Sequence, residues 1–145
     1  MTEVPLWRLY ALRATYLIIL VGMGVQVWPS IWHHDHPWEL MQGVVKCMLA
    51  AVTVMAALGL RYPLKMLPLL FFEMVWKGLW LGVVALPLWR AGTLDADTME
   101  TVVACAMGVI FPVVIPWRYA AATYLREPGN RWVVRGAARG VVAAA

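Results

Sequence analysis

The chain has 145 residues, of which 63% are hydrophobic and 14% charged, and its formal net charge is +4. A water-soluble domain of this length cannot hide that much apolar surface, so an ordinary soluble fold is excluded and lipid must receive the excess. The positive charge does not point to nucleic acid either, because it gathers at the ends of apolar runs.

Four apolar runs, residues 9–28, 40–60, 66–89 and 101–117, each approach the roughly 20 residues needed to cross a bilayer. A membrane β-barrel would show alternating segments about half as long, and no such alternation is present. The predicted fold is all-α: an antiparallel, up-down four-helix transmembrane bundle over residues 1–125, followed by a basic tail over residues 126–145. Arg8 and Arg13 open the first run, and Arg61 and Lys65 lie between the second and third. Arg118, Arg126, Arg131, Arg135 and Arg139 follow the fourth, whereas the opposite side holds Arg90 among Asp35, Glu39, Asp95, Asp97 and Glu100. The positive-inside rule then places both termini in the cytoplasm of a multi-pass inner-membrane protein. Tryptophans agree, with Trp28, Trp32, Trp38 and Trp89 at the outer boundary and Trp7, Trp117 and Trp132 at the inner one.

The first run begins like a secretory leader, but it is too long and ends in Val27-Trp28-Pro29, which predicts a retained signal-anchor. Arg13 lies one to two turns inside the boundary, where its long stem returns the guanidinium to the headgroups. It shares a face with Tyr10, Tyr16 and Gly24, and that face is predicted to look into the bundle. The outer loop at 29–39 holds every histidine of the chain, His33, His34 and His36, with Asp35 and Glu39. Imidazole and carboxylate suit zinc, copper or iron. The loop has no helical His-x-x-x-His clamp, however, and the chain lacks the paired Glu-x-x-His of a di-iron bundle. A solvated or pH-responsive cluster is therefore favoured over a metal site.

In the second run, Glu39, Gln42, Lys46, Ala50, Thr53 and Ala57 form one stripe, and Met41, Met48 and Met55 recur on the other. Thioethers suit copper(I), but a flexible packing stripe is the better account of the methionines. Helical rise puts Lys46 about 10 Å below the outer boundary, which predicts that it turns toward the bundle. Span three rises as span two descends, so Glu39, Lys46, Lys77 and Glu73 are expected to form a descending polar file. The short turn around Pro63 predicts a hairpin of spans two and three, with Pro63 in a first helical turn and a bend at Pro68.

The third run carries Glu73 and Lys77 deep among apolar residues. Ionisable groups at that depth are costly and mark function by default. At about 100° per residue, Glu73, Lys77, Trp76 and Trp80 share one third of the helix circumference, while Gly78 and Gly82 form a small-xxx-small packing face opposite. The order Glu then Lys, four apart, favours an ion pair. Two readings stand side by side: a neutralised pair that fixes packing, and a ligand- or proton-responsive site.

In the acidic loop at 91–100, Asp97 or Thr98 is expected to cap the fourth helix. Pro112 and Pro116 are expected to kink its inner end. The arginines of the tail suggest a basic interfacial helix, with disorder as the rival reading. Cys47 and Cys105 both lie below the outer surface, and buried free thiols are favoured over a bridge.

With GLRYPLKMLPLLFFEMVWK at 59–77, FPVVIPWRY at 111–119 and this size and topology, the chain resembles small four-span bacterial inner-membrane proteins of the DoxX-like kind. The resemblance implies a quinone or a redox partner and carries over no catalytic residue. No phosphate loop, thiol redox pair, haem attachment motif or nucleophile elbow is present, which argues against an enzyme. Three functions compete. One is an accessory or assembly subunit of a membrane complex, joined to other subunits or to itself. The second is a binder of a lipophilic redox ligand such as a quinone. The third is a proton-linked transporter, disfavoured by the lack of an internal repeat.

Overall fold

The computed structural model describes residues 3–33 and 37–128, and all regular structure among them is helical. Helices α1 (Leu6–Trp32) and α2 (Leu40–Arg61) are continuous. The third span, Leu67–Ala91, consists of α3 (Leu67–Trp80), a π turn (Leu81–Ala85) and α4 (Leu86–Ala91). The fourth, Ala96–Val114, consists of α5 (Ala96–Ala106), a 3-10 turn (Met107–Val109) and α6 (Ile110–Val114). A short α7 (Trp117–Ala121) and a second π turn (Ala122–Arg126) follow. All four spans are long and apolar enough to cross a membrane, which makes this a multi-pass α-helical membrane protein.

Each irregular turn lies just ahead of a proline: Pro87, Pro112 and Pro128. Proline lacks an N–H, and its ring collides with the carbonyl four residues back. Changing the pitch ahead of the ring moves that carbonyl away. The Leu86 N–H accordingly bonds to the Leu81 carbonyl, five residues back, and the Glu127 N–H to that of Ala122 at 2.9 Å. Before Pro112 the helix tightens instead.

Several boundaries differ from the sequence expectations. Helix α1 does not stop at Trp28 but runs through Pro29 to Trp32. Pro63 lies in the turn, and Pro68 takes the first-turn position expected of Pro63, so no bend forms there. Helix α4 ends at Gly92, whose φ of 68° is the left-handed value that favours glycine. Asp95, not Asp97 or Thr98, then caps α5: its Oδ1 accepts from the Thr98 N–H at 2.9 Å. At the far end Ile115 is extended, as a residue before proline must be, so the expected kink at Pro116 is a break. The Trp117 indole N–H bridges that break by donating to the Pro112 carbonyl at 2.7 Å.

The hairpin predicted for α2 and α3 is loose. Helix α2 packs mainly along α1 and touches α3 far less. The cause is a close fit in the first pair, where the Tyr16 ring rests on Gly59 so closely that a Cβ there would stand 2.6 Å from it. The Tyr16 hydroxyl donates to the Pro63 carbonyl at 3.0 Å, and the Trp28 indole to Thr53 Oγ1 at 2.9 Å. Arg13 Nε donates to the Leu60 carbonyl at 3.2 Å, satisfying one of the orphan acceptors at the end of α2. Of the face it shares, Tyr16 is buried and Tyr10 is exposed.

The core gathers Leu12, Tyr16, Ala56, Leu67, Leu70 and Ile115 at the end of the bundle nearest the turn between α2 and α3. Toward the other end, α4 buries nothing and α5 only Cys105. Met41, Met48 and Met55 are all exposed and do not form a packing stripe within the chain. Cys47 is exposed, Cys105 is buried, and both are free thiols.

Candidate functional site

Glu73 continues the buried stripe of Leu67 and Leu70 on α3, at helical spacing, and is itself fully buried. One turn on, Lys77 Nζ donates to Glu73 Oε2 at 2.6 Å. The other carboxylate oxygen, Oε1, is buried and accepts no hydrogen bond among the described residues. The Lys77 side chain is only 13% exposed. Its ammonium lies 5.3 Å from the centre of the Trp76 ring and 4.9 Å from that of Phe111. Aromatic faces attract a cation, and more strongly where water is excluded.

Phe111 and Gly108 come from the fourth span, and sequence reasoning missed both. A Cβ at Gly108 would stand 3.0 Å from Lys77 Cδ, so the missing side chain is what lets the lysine stem lie against span four. The signal was a glycine in mid-span with an aromatic residue three positions later on the same face.

Beside the pair, a cavity of about 390 Å³ opens between spans three and four, lined by Lys77, Gly78, Leu81, Cys105, Gly108 and Pro112. The small-residue face is uncovered: a Cβ at Gly78 or at Gly82 would meet nothing within 4 Å. The site thus offers an ammonium with N–H groups to spare at the edge of a groove. Behind it lies a buried carboxylate oxygen without a donor, which costs about 1–3 kcal/mol.

The other predicted residues stand apart from the pair. Lys46 places its ammonium 4.5 Å from the centre of the Trp38 ring, and Glu39 is exposed at the start of α2 with no side-chain cap bond. No hydrogen bond or ion pair joins either to Glu73 or Lys77 among the described residues, so the polar file is not continuous through direct contacts. Trp80 is half-buried on the same helix, without a ring or cation contact of its own among the described residues. His33 is exposed at the end of α1, and His34 and His36 lie outside the described residues. Among those described, no three His, Cys, Asp or Glu gather as metal ligands would. The basic tail from residue 129 on lies outside the described residues as well.

Fold and site together define a four-span membrane protein with an ion pair turned inward within its third span. Compared with protein-family models, curated proteins and solved structures, the chain finds no match in any of the three.

Proposed function

We propose that this protein is an accessory or assembly subunit of a membrane complex, and that the groove between spans three and four receives a transmembrane helix of a partner subunit. The observation that carries this reading is the groove itself, where Gly78 is open and Lys77, on its lining, keeps unused hydrogen-bonding capacity. Small residues let helix backbones approach closely in lipid, and a serine, threonine or asparagine on the incoming helix would supply polar contacts that acyl chains lack. Only 11% of the fourth span is buried within the chain, which leaves surface for a neighbour. The distribution of arginine supports an inner-membrane location with cytoplasmic termini. The DoxX-like segments at 59–77 and 111–119 support a redox complex as the setting.

Purification from native membranes in a mild detergent tests this. The wild-type protein is expected to bring a membrane subunit in fixed ratio, and Gly78→Leu with Gly82→Leu to lose it while remaining folded. A wild-type protein that emerges alone overturns the proposal.

One observation favours a second reading, a lipophilic ligand such as a quinone: the Lys77 ammonium sits between two aromatic rings at the edge of the groove. Lipid extraction and mass spectrometry of the purified protein would then find a flat amphiphile at near-stoichiometric yield, lost in Lys77→Met. Proton-linked transport is tested separately, by proton flux into liposomes. Equal flux with Glu73→Gln removes that function.

A further inference from the structure

A second cavity, of about 490 Å³, lies far from the ion pair in sequence and is built where both ends of the described chain meet. Glu3, Trp7 and Arg8 line it from the first segment, and Pro116, Arg118 and Tyr119 from the stretch after span four. Two arginines therefore border one pocket. Neither has an ion pair among the described residues, although Glu3 is also at the rim. The Arg8 guanidinium instead stacks 5.3 Å from the centre of the Trp7 ring. Helix α1 also starts here with no side-chain cap and no acidic residue in its first turn, so its positive end adds to the two cations.

Depth is set by the spans. Span one begins at Leu6 and span four ends at Val114, so the pocket lies level with the membrane boundary, and Trp7, Trp117 and Tyr119 are the aromatic residues that favour that level. Guanidinium forks match phosphate oxygens through paired, charge-assisted hydrogen bonds. We propose that this pocket binds the phosphate of an anionic phospholipid headgroup, held between Arg8 and Arg118 with the acyl chains running along spans one and four. Free phosphate offers the same oxygens without the chains, so the two sources are separable.

The test uses the full chain in a non-ionic detergent, titrated with phosphatidylglycerol, with phosphatidylcholine and with inorganic phosphate, and read by native mass spectrometry. Phosphatidylglycerol is expected to bind more tightly than phosphatidylcholine and to stay bound in millimolar inorganic phosphate. Arg8→Gln with Arg118→Gln is expected to weaken it by about fivefold per arginine. Arg8→Lys with Arg118→Lys keeps the charge and should recover part of the loss, which separates recognition from a failure to fold. Arg131→Gln with Arg135→Gln in the tail should leave binding unchanged. Equal affinity for the two lipids, an unaffected pocket variant, or loss through the tail variant instead would each overturn the proposal. Displacement of the lipid by millimolar phosphate would overturn the lipid as ligand and leave a soluble phosphate site.

Discussion

Gly59 and Gly108 each decide which residues meet across a helix pair. At Gly59 the Tyr16 ring occupies the space of a side chain, and the ring is held by its hydroxyl bond to Pro63, so it cannot swing away cheaply. Gly59→Ala is therefore expected to lower stability by about 1–3 kcal/mol, the usual cost of overpacking, as measured by unfolding in mixed micelles. A neutral substitution would show that the two helices separate freely. The ion pair makes a sharper prediction. Lys77→Met strands a buried carboxylate and should cost about 3–5 kcal/mol, whereas Glu73→Gln combined with Lys77→Met should cost much less than the sum of its parts. Additive losses in that double-mutant cycle would mean that the two groups do not depend on each other. Glu73 and Lys77 were legible in the sequence because charge within an apolar run must turn inward and an i,i+4 spacing lies on one helix. Phe111 and Gly108 were not, because their contact with Lys77 is made between spans, and one helix's periodicity carries no information about its neighbour's rotation.

At the level of elements, hydropathy located all four spans, and punctuation set their ends less surely. Pro29 reads as a stop, yet a proline's missing N–H is tolerated within a membrane helix when the remaining bonds close around it, as the His33 N–H does on the Pro29 carbonyl at 2.9 Å. Asp97 and Thr98 read as caps, but the turn at Gly92 ends early enough for Asp95 to take the role. Hydrogen bonding from the Thr98 side chain, and then from its N–H, holds the Asp95 carboxyl below its ordinary range. A lowered carboxyl stabilises its folded position above the unfolded pKa and loses that contribution as pH falls through the folded one. Protection of the first amides of α5 against hydrogen exchange, relative to their intrinsic rates, should thus fall below the usual aspartate range, and Asp95→Asn should remove that pH dependence while retaining a cap. The π turn follows from Pro87. Pro87→Ala is expected to restore regular α-helix, turning Trp89 and Arg90 by about 100° relative to Glu73. The periodicity of labelling of single cysteines placed along residues 81–91 would show the shift, and an unchanged pattern would mean that packing on α5 holds the turn open.

For the molecule as a whole, the tight packing lies at one end and the open surface at the other. The core ties α1, α2, the start of α3 and the end of span four together, while the π turn and α4 have little of their own chain around them. Local stability follows buried contact. In lipid nanodiscs, amides near Tyr16, Ala56 and Leu70 should exchange most slowly and those of the third span beyond Leu81 faster; uniform protection would point to a neighbour already covering that end. Class and span number were readable from composition. The pairing of α1 with α2 was not, since it depends on one tyrosine fitting one glycine 43 positions later.

That fit also bears on how the protein is made. Tyr16, Gly59 and Pro63 all precede Glu73 and Lys77 in the chain, so the residues that close the first helix pair emerge ahead of the charged segment. The cover over Lys77 comes from Gly108 and Phe111, which are made only with the last span. The costliest residues of the chain therefore enter the bilayer before the helix that encloses the lysine exists.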